Sequence, residues 1–398
     1  AYPLPDKPSI AVLPFDNMSG DSEQEYFCDG LTEEIITALS KVPKLFVIAR
    51  NSTFTYKGKP VKVQQVSEEL GVRYVLEGSV RKVDNRLRIT AQLIDAIKGF
   101  DLWSERYDRE LKDILAVQDE ITMKIITDMG VKLTTGEQAR VSARGTANLD
   151  AYLKCLEARE NLFRLNRDSN LKARQRAEEA IALDPEYSIA YSLLSNTHIL
   201  YVWFKWSKSP KESMKRAFEL AKKALALDES NSGAHLVFAK IFLLQRLHDK
   251  AIAEAERAVS LAPNAADAIN ILGLILRFAG RSQEAASMHE RAIRLNPMPP
   301  AQYFYQLALC YTFIGEYEKA IAICKEALYK NPDDFVGRIT LTIAYSSFGR
   351  DEEARSEATE VLRIHPKFTL EYASKTWPYK NDTDRDFVLN ALRKAGLK

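Results

Sequence analysis

The sequence predicts two folds in tandem: a small α/β domain built on a mixed sheet, then an all-α solenoid. Two observations carry this expectation. Between residues 149 and 366 similar phrases return with a period near 34 residues, and ahead of residue 134 short apolar runs alternate with helically spaced apolar positions. A third bounds it: 398 residues with 46% apolar and 28% charged side chains make an ordinary folded chain with room for two or three domains.

The opening, AYPLPDKPS, reads as a linker over residues 1–8, so a longer protein is expected ahead of it. The α/β domain follows over 9–133. An apolar run at 10–15, ending in Pro14-Phe15, predicts a buried strand. Residues 22–40 place Phe27, Leu31, Ile35, Ile36 and Leu39 at helical spacing. A second buried strand is expected at 45–49, then a short helix on Val63, Val66 and Leu70 stopped by Gly71. Strands at 72–83, 87–96 and 100–107 are joined by Asp84-Asn85 and Lys98-Gly99, both tight-turn signals. Leu111, Ile114, Leu115, Ile121, Ile125 and Met129 close the domain with a long helix. Two crossovers and then a meander imply a mixed sheet with helices packed on it. Residues 134–148 are polar, contain two glycines and read as a connecting segment.

The repeats are anchored at Pro185, Glu229, Pro263, Pro297, Pro332 and Pro366, spaced by 44, 34, 34, 35 and 34 residues. The first spacing contains ten inserted residues, within WFKWSKSPKES at 203–213. Its aromatic residues Trp203, Phe204 and Trp206 are expected to cover the end of a longer helix. Within each unit small residues recur: Gly273, Ala285 and Ala292 before Pro297, then Ala320 and Ala327, then Ala354. Two antiparallel helices approach closely only where small residues face each other. Gly280, Gly315 and Gly349 permit the left-handed turn between them, and proline ends the second helix. This is the tetratricopeptide pattern. Six units are expected over 149–366, followed by capping helices over 367–398 in which Asp382 or Thr383 caps the last helix and Gly396 ends it.

Nothing in the sequence assembles a catalytic, cofactor or metal site. The stretch MSGDSEQEYFCDG at 18–30 lacks the ending of a phosphate-binding loop. Asp16, Asp21, Asp29, Glu33 and Glu34 cluster near the end of the first strand, but acids at a helix start complement its dipole anyway. No two of His198, His235, His248, His289 and His365 lie four apart; His235 and His289 fall on positions expected to face the interior. Cys28, Cys155, Cys310 and Cys324 form no C-x-x-C pair and read as small buried groups. Arg81, Lys82, Arg86 and Arg88 read as the solvated face of a hairpin. Net charge is +2 overall, with −2 in residues 1–145 and +4 in the rest, which gives no electrostatic case for direct nucleic-acid binding. No apolar run is long enough for a membrane span.

What remains is a surface. In such an array the first helices line a concave groove. The period places on it Asn196, Ile199, Lys240, Leu244, Asn270, Arg277, Phe278, Tyr305 and Phe313. This mix of amide, basic and aromatic groups suits a protein or extended-peptide partner. The alternative is an ordinary solvated face, or one filled by the chain's own first domain. Repeat arrays and sheet edges also permit self-association, so a homodimer is open.

The phrases SIAVLPFDNMSGD, EYFCDGLTEEIITALS, FVIARNSTFTYKGK, ELGVRYVLEGSVRK and LWSERYDRELKDILAVQDEI resemble the TolB-like amino-terminal domain found in bacterial signalling proteins ahead of a tetratricopeptide array. The ending WPYKNDTDRDFVLNALRKAGL resembles the tail of the same architecture. The nearest resemblance is to the carboxy-terminal regions of bacterial class III adenylate/guanylate cyclases. It implies a non-catalytic, cytoplasmic regulatory and protein-interaction module attached to such a cyclase. The resemblance also allows a sensor region behind a winged-helix transcription regulator. A third alternative is an envelope scaffold, periplasmic if a membrane span or signal peptide precedes it.

Overall fold

A computed structural model describes residues 2–21, 24–141 and 145–398. The first linker residue, the expected helix start at residues 22 and 23, and residues 142–144 of the connecting segment lie outside the described residues.

The chain begins with β1 (Ser9–Val12), all four residues buried. Burial on both faces is what a central parallel strand requires and why it reads as a continuous apolar run. A two-residue strand that the sequence does not signal, β2 (Asp16–Asn17), follows. Helix α1 (Glu25–Ser40) sinks Phe27, Leu31, Ile35 and Leu39 into the core. Each such side chain contributes roughly 1.5–3 kcal/mol by leaving water. The strand expected at 45–49 is shorter, β3 (Phe46–Val47), and Ala49 already caps α2 (Arg50–Thr53). Helix α3 (Val63–Leu70) stops at Gly71, whose φ of +63° is the left-handed cap. Strands β4 (Tyr74–Val83), β5 (Arg86–Asp95) and β6 (Phe100–Glu110) form the meander. Helix α4 (Ile114–Asp128) closes the domain. The order across the sheet is β3-β1-β4-β5-β6, with β2 also on β4; β1 pairs parallel with β3 and β4, and β5 antiparallel with β4 and β6. Along β5, Leu87, Ile89, Ala91 and Leu93 face the core. The intervening arginines face solvent, where Arg88 pairs with Asp108 at 2.7 Å. Asp84 turns the hairpin at φ +53° and Gly99 the next at φ +72°.

The connecting segment carries a helix, α5 (Thr135–Val141), started by a reciprocal box in which Glu137 accepts from the Thr134 amide and Thr134 from the Glu137 amide. Six helix pairs follow: α6 (Leu149–Phe163) with α7 (Arg167–Leu183), α8 (Ser188–Trp203) with α9 (Pro210–Leu227), α10 (Ser232–Leu244) with α11 (His248–Leu261), α12 (Ala266–Phe278) with α13 (Ser282–Leu295), α14 (Ala301–Phe313) with α15 (Tyr317–Lys330), and α16 (Phe335–Phe348) with α17 (Asp351–Ile364). Two C-terminal helices, α18 (Leu370–Thr376) and α19 (Asp382–Lys394), end the chain. Asn381 rather than Asp382 or Thr383 stands at the cap position of α19.

The chain divides into two compact units. The first holds Ala1–Ile241, Arg257–Ala265 and Leu295–Pro297; the second holds Phe242–Glu256, Ala266–Arg294 and Met298–Lys398. In the first, Ala217, Ala221 and Ala224 of α9 are fully buried. The helices come close enough there for Ser188 and Ser195 of α8 to donate to the carbonyls of Ala224 and Ala217, at 2.9 and 2.6 Å. The insert caps α8 as expected: Phe204 stacks on Trp206 at 4.9 Å and Tyr201 meets Trp206 edge-on. In the second unit, Gly337 admits the Tyr305 ring, which a Cβ would meet at 2.6 Å. All four cysteines are free and buried.

Gly78 is the tightest point of the sheet: a Cβ there would lie 2.6 Å from the Phe15 ring and 2.6 Å from the Thr90 carbonyl oxygen. The carbonyl belongs to the β-ladder and cannot step aside. Gly78→Ala should therefore lower stability by about 1–3 kcal/mol, read from urea unfolding midpoints. An unchanged midpoint would show that the sheet relaxes freely.

Candidate functional site

The inner faces of the repeats are built from first helices, and each unit shows what lies on them. In the second unit the ends of α10, α12 and α14 converge on the segment between α18 and α19. Tyr379, at its centre, is 6% exposed. Its ring meets Phe278 edge-on at 4.9 Å and lies 6.1 Å from Phe313, which also packs on Phe387 at 5.1 Å. Its hydroxyl accepts a bond from Arg277 Nη1 at 3.0 Å. Arg277 is itself 2% exposed, lies over the Phe278 ring at 4.1 Å and donates from Nη2 to Gln306 Oε1 at 3.0 Å. Burial pushes the Tyr379 phenol up, with Arg277 opposing, so it is a neutral hydroxyl.

The backbone of the same segment is held as well. Arg246 donates from Nη1 to the carbonyl of Tyr379 at 3.0 Å, and from Nη2 to those of Trp377 at 3.0 Å and Lys375 at 3.2 Å. His248 Nε2 donates to the Pro378 carbonyl at 2.6 Å. The Lys380 amide bonds the Phe278 carbonyl at 2.9 Å, and its side chain pairs with Asp249 at 2.7 Å. The inner face of this unit is thus occupied by the chain's own C-terminal segment.

The first unit covers its inner face differently. Helix α1 lies against α6 through a buried ion network. Arg159 of α6 pairs with Glu34 and reaches Glu33 at 3.5 Å; Arg50 reaches Glu33 at 3.4 Å and Glu160 at 2.6 Å. Two turn asparagines extend the contact. Asn264 donates to the Val42 carbonyl at 3.0 Å, and Asn296 accepts from Ser52 at 2.6 Å. Beside the network a cavity of about 450 Å³ is walled by polar groups including Lys41, Tyr152, Arg159, Ser192 and Asn231.

The residues expected on the groove separate accordingly. In the first unit Lys240 donates to Asn196 at 3.1 Å, and Ile199 is fully buried. In the second unit Arg277, Phe278 and Phe313 come together on Tyr379, Leu244 is half-buried, and Asn270 accepts from His289 Nδ1 at 2.8 Å. Tyr305 is fully buried against Gly337. Ile199 and Tyr305 therefore offer no surface to a partner; the period marks the face of a helix but not how deeply the next helix covers it. His289 is interior as expected, whereas His235 is half-buried beside the Glu229 carbonyl at 3.2 Å. The acidic cluster at the end of β1 does not converge. Asp29 and Glu25 take Lys57 at 2.5 and 2.8 Å, and Glu33 and Glu34 take arginines. Among the described residues no group of three or more His, Cys, Asp or Glu side chains is placed to hold a metal.

Sequence reasoning missed Arg246, His248 and Tyr379. One signal was available. Arg246 stands seventeen residues before Pro263, as Gly280, Gly315 and Gly349 do before their own prolines, and like them it has positive φ, +59°.

Residues 139–338 match the family model described as the tetratricopeptide repeat protein 21 C-terminal ARM domain. Residues 6–124 match that of the second domain of HilA/YgeH-like transcriptional regulators. Over 248 residues the chain is 48% identical to a protein of Rhizobium meliloti (strain 1021) named "Putative adenylate cyclase 3". That match covers 62% of this chain and 42% of the relative, so it spans less than half of the relative's length. Among solved structures, pilF of Pseudomonas aeruginosa is 19% identical, with 58% of this chain and 98% of that chain covered and a TM-score of 0.43. YrrB, described as a TPR protein with an unusual peptide-binding site, is 20% identical, with 50% and 97% covered and a TM-score of 0.36.

Burial pushes the Glu33 carboxyl up to about 7 from an ordinary 4.5, with Arg159 and Arg50 opposing the shift. The folded protein thus holds this proton more tightly than the unfolded chain. The stabilisation this gives is complete below about 4.5 and is lost as pH rises through about 7. Glu33→Gln should flatten the fall of stability across that window, measured by urea unfolding at stepped pH. Parallel wild-type and variant profiles would reject the assignment.

Proposed function

The chain belongs to the tetratricopeptide-repeat family represented by that ARM-domain model, and we propose that it is the regulatory and protein-interaction module of a bacterial class III nucleotide cyclase. The observation that carries this reading is the 48% identity over 248 residues to a protein named as an adenylate cyclase. The structure suits a module of this kind. Its buried carboxylates Asp29, Glu33 and Asp95 are spent in ion pairs with Lys57, with Arg50 and Arg159, and with Arg73, and its inner faces hold segments of the chain itself. In this reading the α/β domain is the TolB-like partner of the repeats. The surface of the repeats is where a protein partner is received, and the effect of that partner passes to an attached catalytic domain. Four free buried cysteines suit a reducing cytoplasm, and no helix among the described residues is long and apolar enough to cross a membrane.

One observation favours a second reading. Residues 6–124 match the second domain of HilA/YgeH-like transcriptional regulators, so the same module would serve as the sensor region of a DNA-binding protein.

The test uses the full-length parent protein, assayed for cyclic-nucleotide formation with and without the region corresponding to residues 9–398. Removal should change the basal rate at least threefold, in either direction. A parent that makes no cyclic nucleotide and binds DNA through an upstream domain would establish the second reading. A cyclase whose rate ignores the deletion would refute regulation by this module.

A further inference from the structure

Strand β6 ends the sheet. It pairs with β5 along one side, and no strand among the described residues pairs with the other. An open edge of 11 residues is a ready template for another strand. Asp101, Ser104, Arg106, Asp108, Arg109 and Glu110 are exposed along it, so solvent reaches the edge. Charges on an edge commonly keep other strands away. On β6 they do so in all the neighbouring registers but one.

The run Glu105-Arg106-Tyr107-Asp108-Arg109 is negative, positive, neutral, negative, positive. Reversed, it reads positive, negative, neutral, positive, negative. Laid antiparallel on a second copy about an axis through Tyr107, each charge meets its opposite. Arg106 then faces Asp108 at both symmetric positions, on the solvent face where Arg88 already pairs with Asp108. Glu105 faces Arg109 in the same way on the other face, where Lys124 and Glu120 of α4 stand. An axis through Glu105, Arg106, Asp108 or Arg109 instead sets that charge against its own copy, which is destabilising. An axis through a residue also keeps core face beside core face, since directly opposed side chains point to the same side of the sheet. Within one copy these charges hold only solvent-accessible partners: Lys124 at 3.2 Å for Glu105, Glu120 at 3.6 Å for Arg109, Arg88 and Arg106 at 2.7 and 3.2 Å for Asp108. Such pairs are weak, so a second chain can share them. Arg109 Nη1 also donates to the Asp108 carbonyl at 3.1 Å, which keeps its other lone pair for a ladder.

We propose that the chain forms a homodimer in which two β6 edges pair antiparallel about Tyr107, joining the two sheets into one. The occupant of the edge is a second copy of this chain. Main-chain bonds supply the attraction, and the charges select the register. The facing positions run from 104 to 110. That is a small interface, so the dimer forms with rising concentration and is not obligate. The two α/β domains stand side by side with their α4 helices on one face. This goes beyond the reading of the chain as a regulatory module and holds whichever effector is attached.

The test is the mass of the full chain by sedimentation equilibrium, over about 1 to 100 µM. Wild type should rise from the monomer mass towards twice that mass. Arg106→Asp sets acid against acid at both symmetric positions, and Asp108→Arg sets base against base. Each variant alone should raise the dissociation constant by about tenfold or more. Mixed in equal amounts the two become complementary, and the mixture should recover dimer to within about threefold of the wild-type constant. A wild type that stays monomeric overturns the proposal, as do variants that dimerise like wild type or a mixture of folded variants that stays monomeric. Both side chains are exposed, so the variants are expected to fold, and circular dichroism checks this. If either unfolds, hydrogen exchange on wild type decides. Amides of residues 104–110 should slow as concentration rises, and exchange independent of concentration overturns the pairing. Neither readout involves cyclic-nucleotide formation, so the dimer and the cyclase assignment fail separately.

Discussion

Two antiparallel helices leave one face of the first helix without a partner inside the pair, and that face has to be covered from elsewhere. Most of what distinguishes this chain from a bare array follows from how the cover is made. In the first unit the cover is a folded domain. Helices α1 and α2 meet α6 through five charged groups, Glu33, Glu34, Arg50, Arg159 and Glu160. In the second unit the cover is a short extended segment, held by main-chain bonds and one aromatic ring.

The two covers differ in how removal would be felt. Charges buried as a network compensate one another, and taking away one member leaves the others desolvated and unpaired, a loss of several kcal/mol. A folded domain seated this way is a permanent partner. Arg277 is a different case. It is 2% exposed, yet its bonds go to a phenol oxygen and an amide oxygen, and its Nε has no acceptor among the described residues. Neutral acceptors return only part of what a guanidinium loses on leaving water. Lifting the segment away would let water or another chain meet that deficit, which makes the second cover the cheaper one to open.

The sequence was informative where periodicity acts alone. The eight helices α10 to α17 follow from the 34-residue period with its alanines and prolines, while α6 to α9 belong to the less regular first unit and the unit with the insert. The meander follows from three apolar runs separated by Asp84-Asn85 and Lys98-Gly99. Elements set by tertiary contact were not legible. β2 exists because Asp16 and Asn17 pair with Ser79 and Val80, and two residues carry no pattern. Helix α5 was hidden by its polarity, since only Val141 of its residues is buried. The groove was half legible. Arg277, Phe278 and Phe313 share the face that meets Tyr379, but helical phase does not report depth, so Ile199 and Tyr305 read as lining when they are core. Tyr379 lies outside the repeat, where no period assigns it a place.

Arg246 shows what a repeat sequence can reveal without relatives to compare. The next three units hold glycine at this turn position, at φ between +82° and +84°, whereas the two preceding units hold Leu165 and Lys205 there, at φ +46° and +59°. A residue other than glycine costs on the order of 1 kcal/mol in backbone strain at this position. A guanidinium placing three bonds on carbonyls more than offsets this, since each charge-assisted bond contributes roughly 1.5–3 kcal/mol. The balance depends on the carbonyls being present. When the segment is away, the strain at φ +59° remains and the bonds that offset it are gone. The turn is therefore more stable occupied than empty, and any segment offering the same carbonyls restores it.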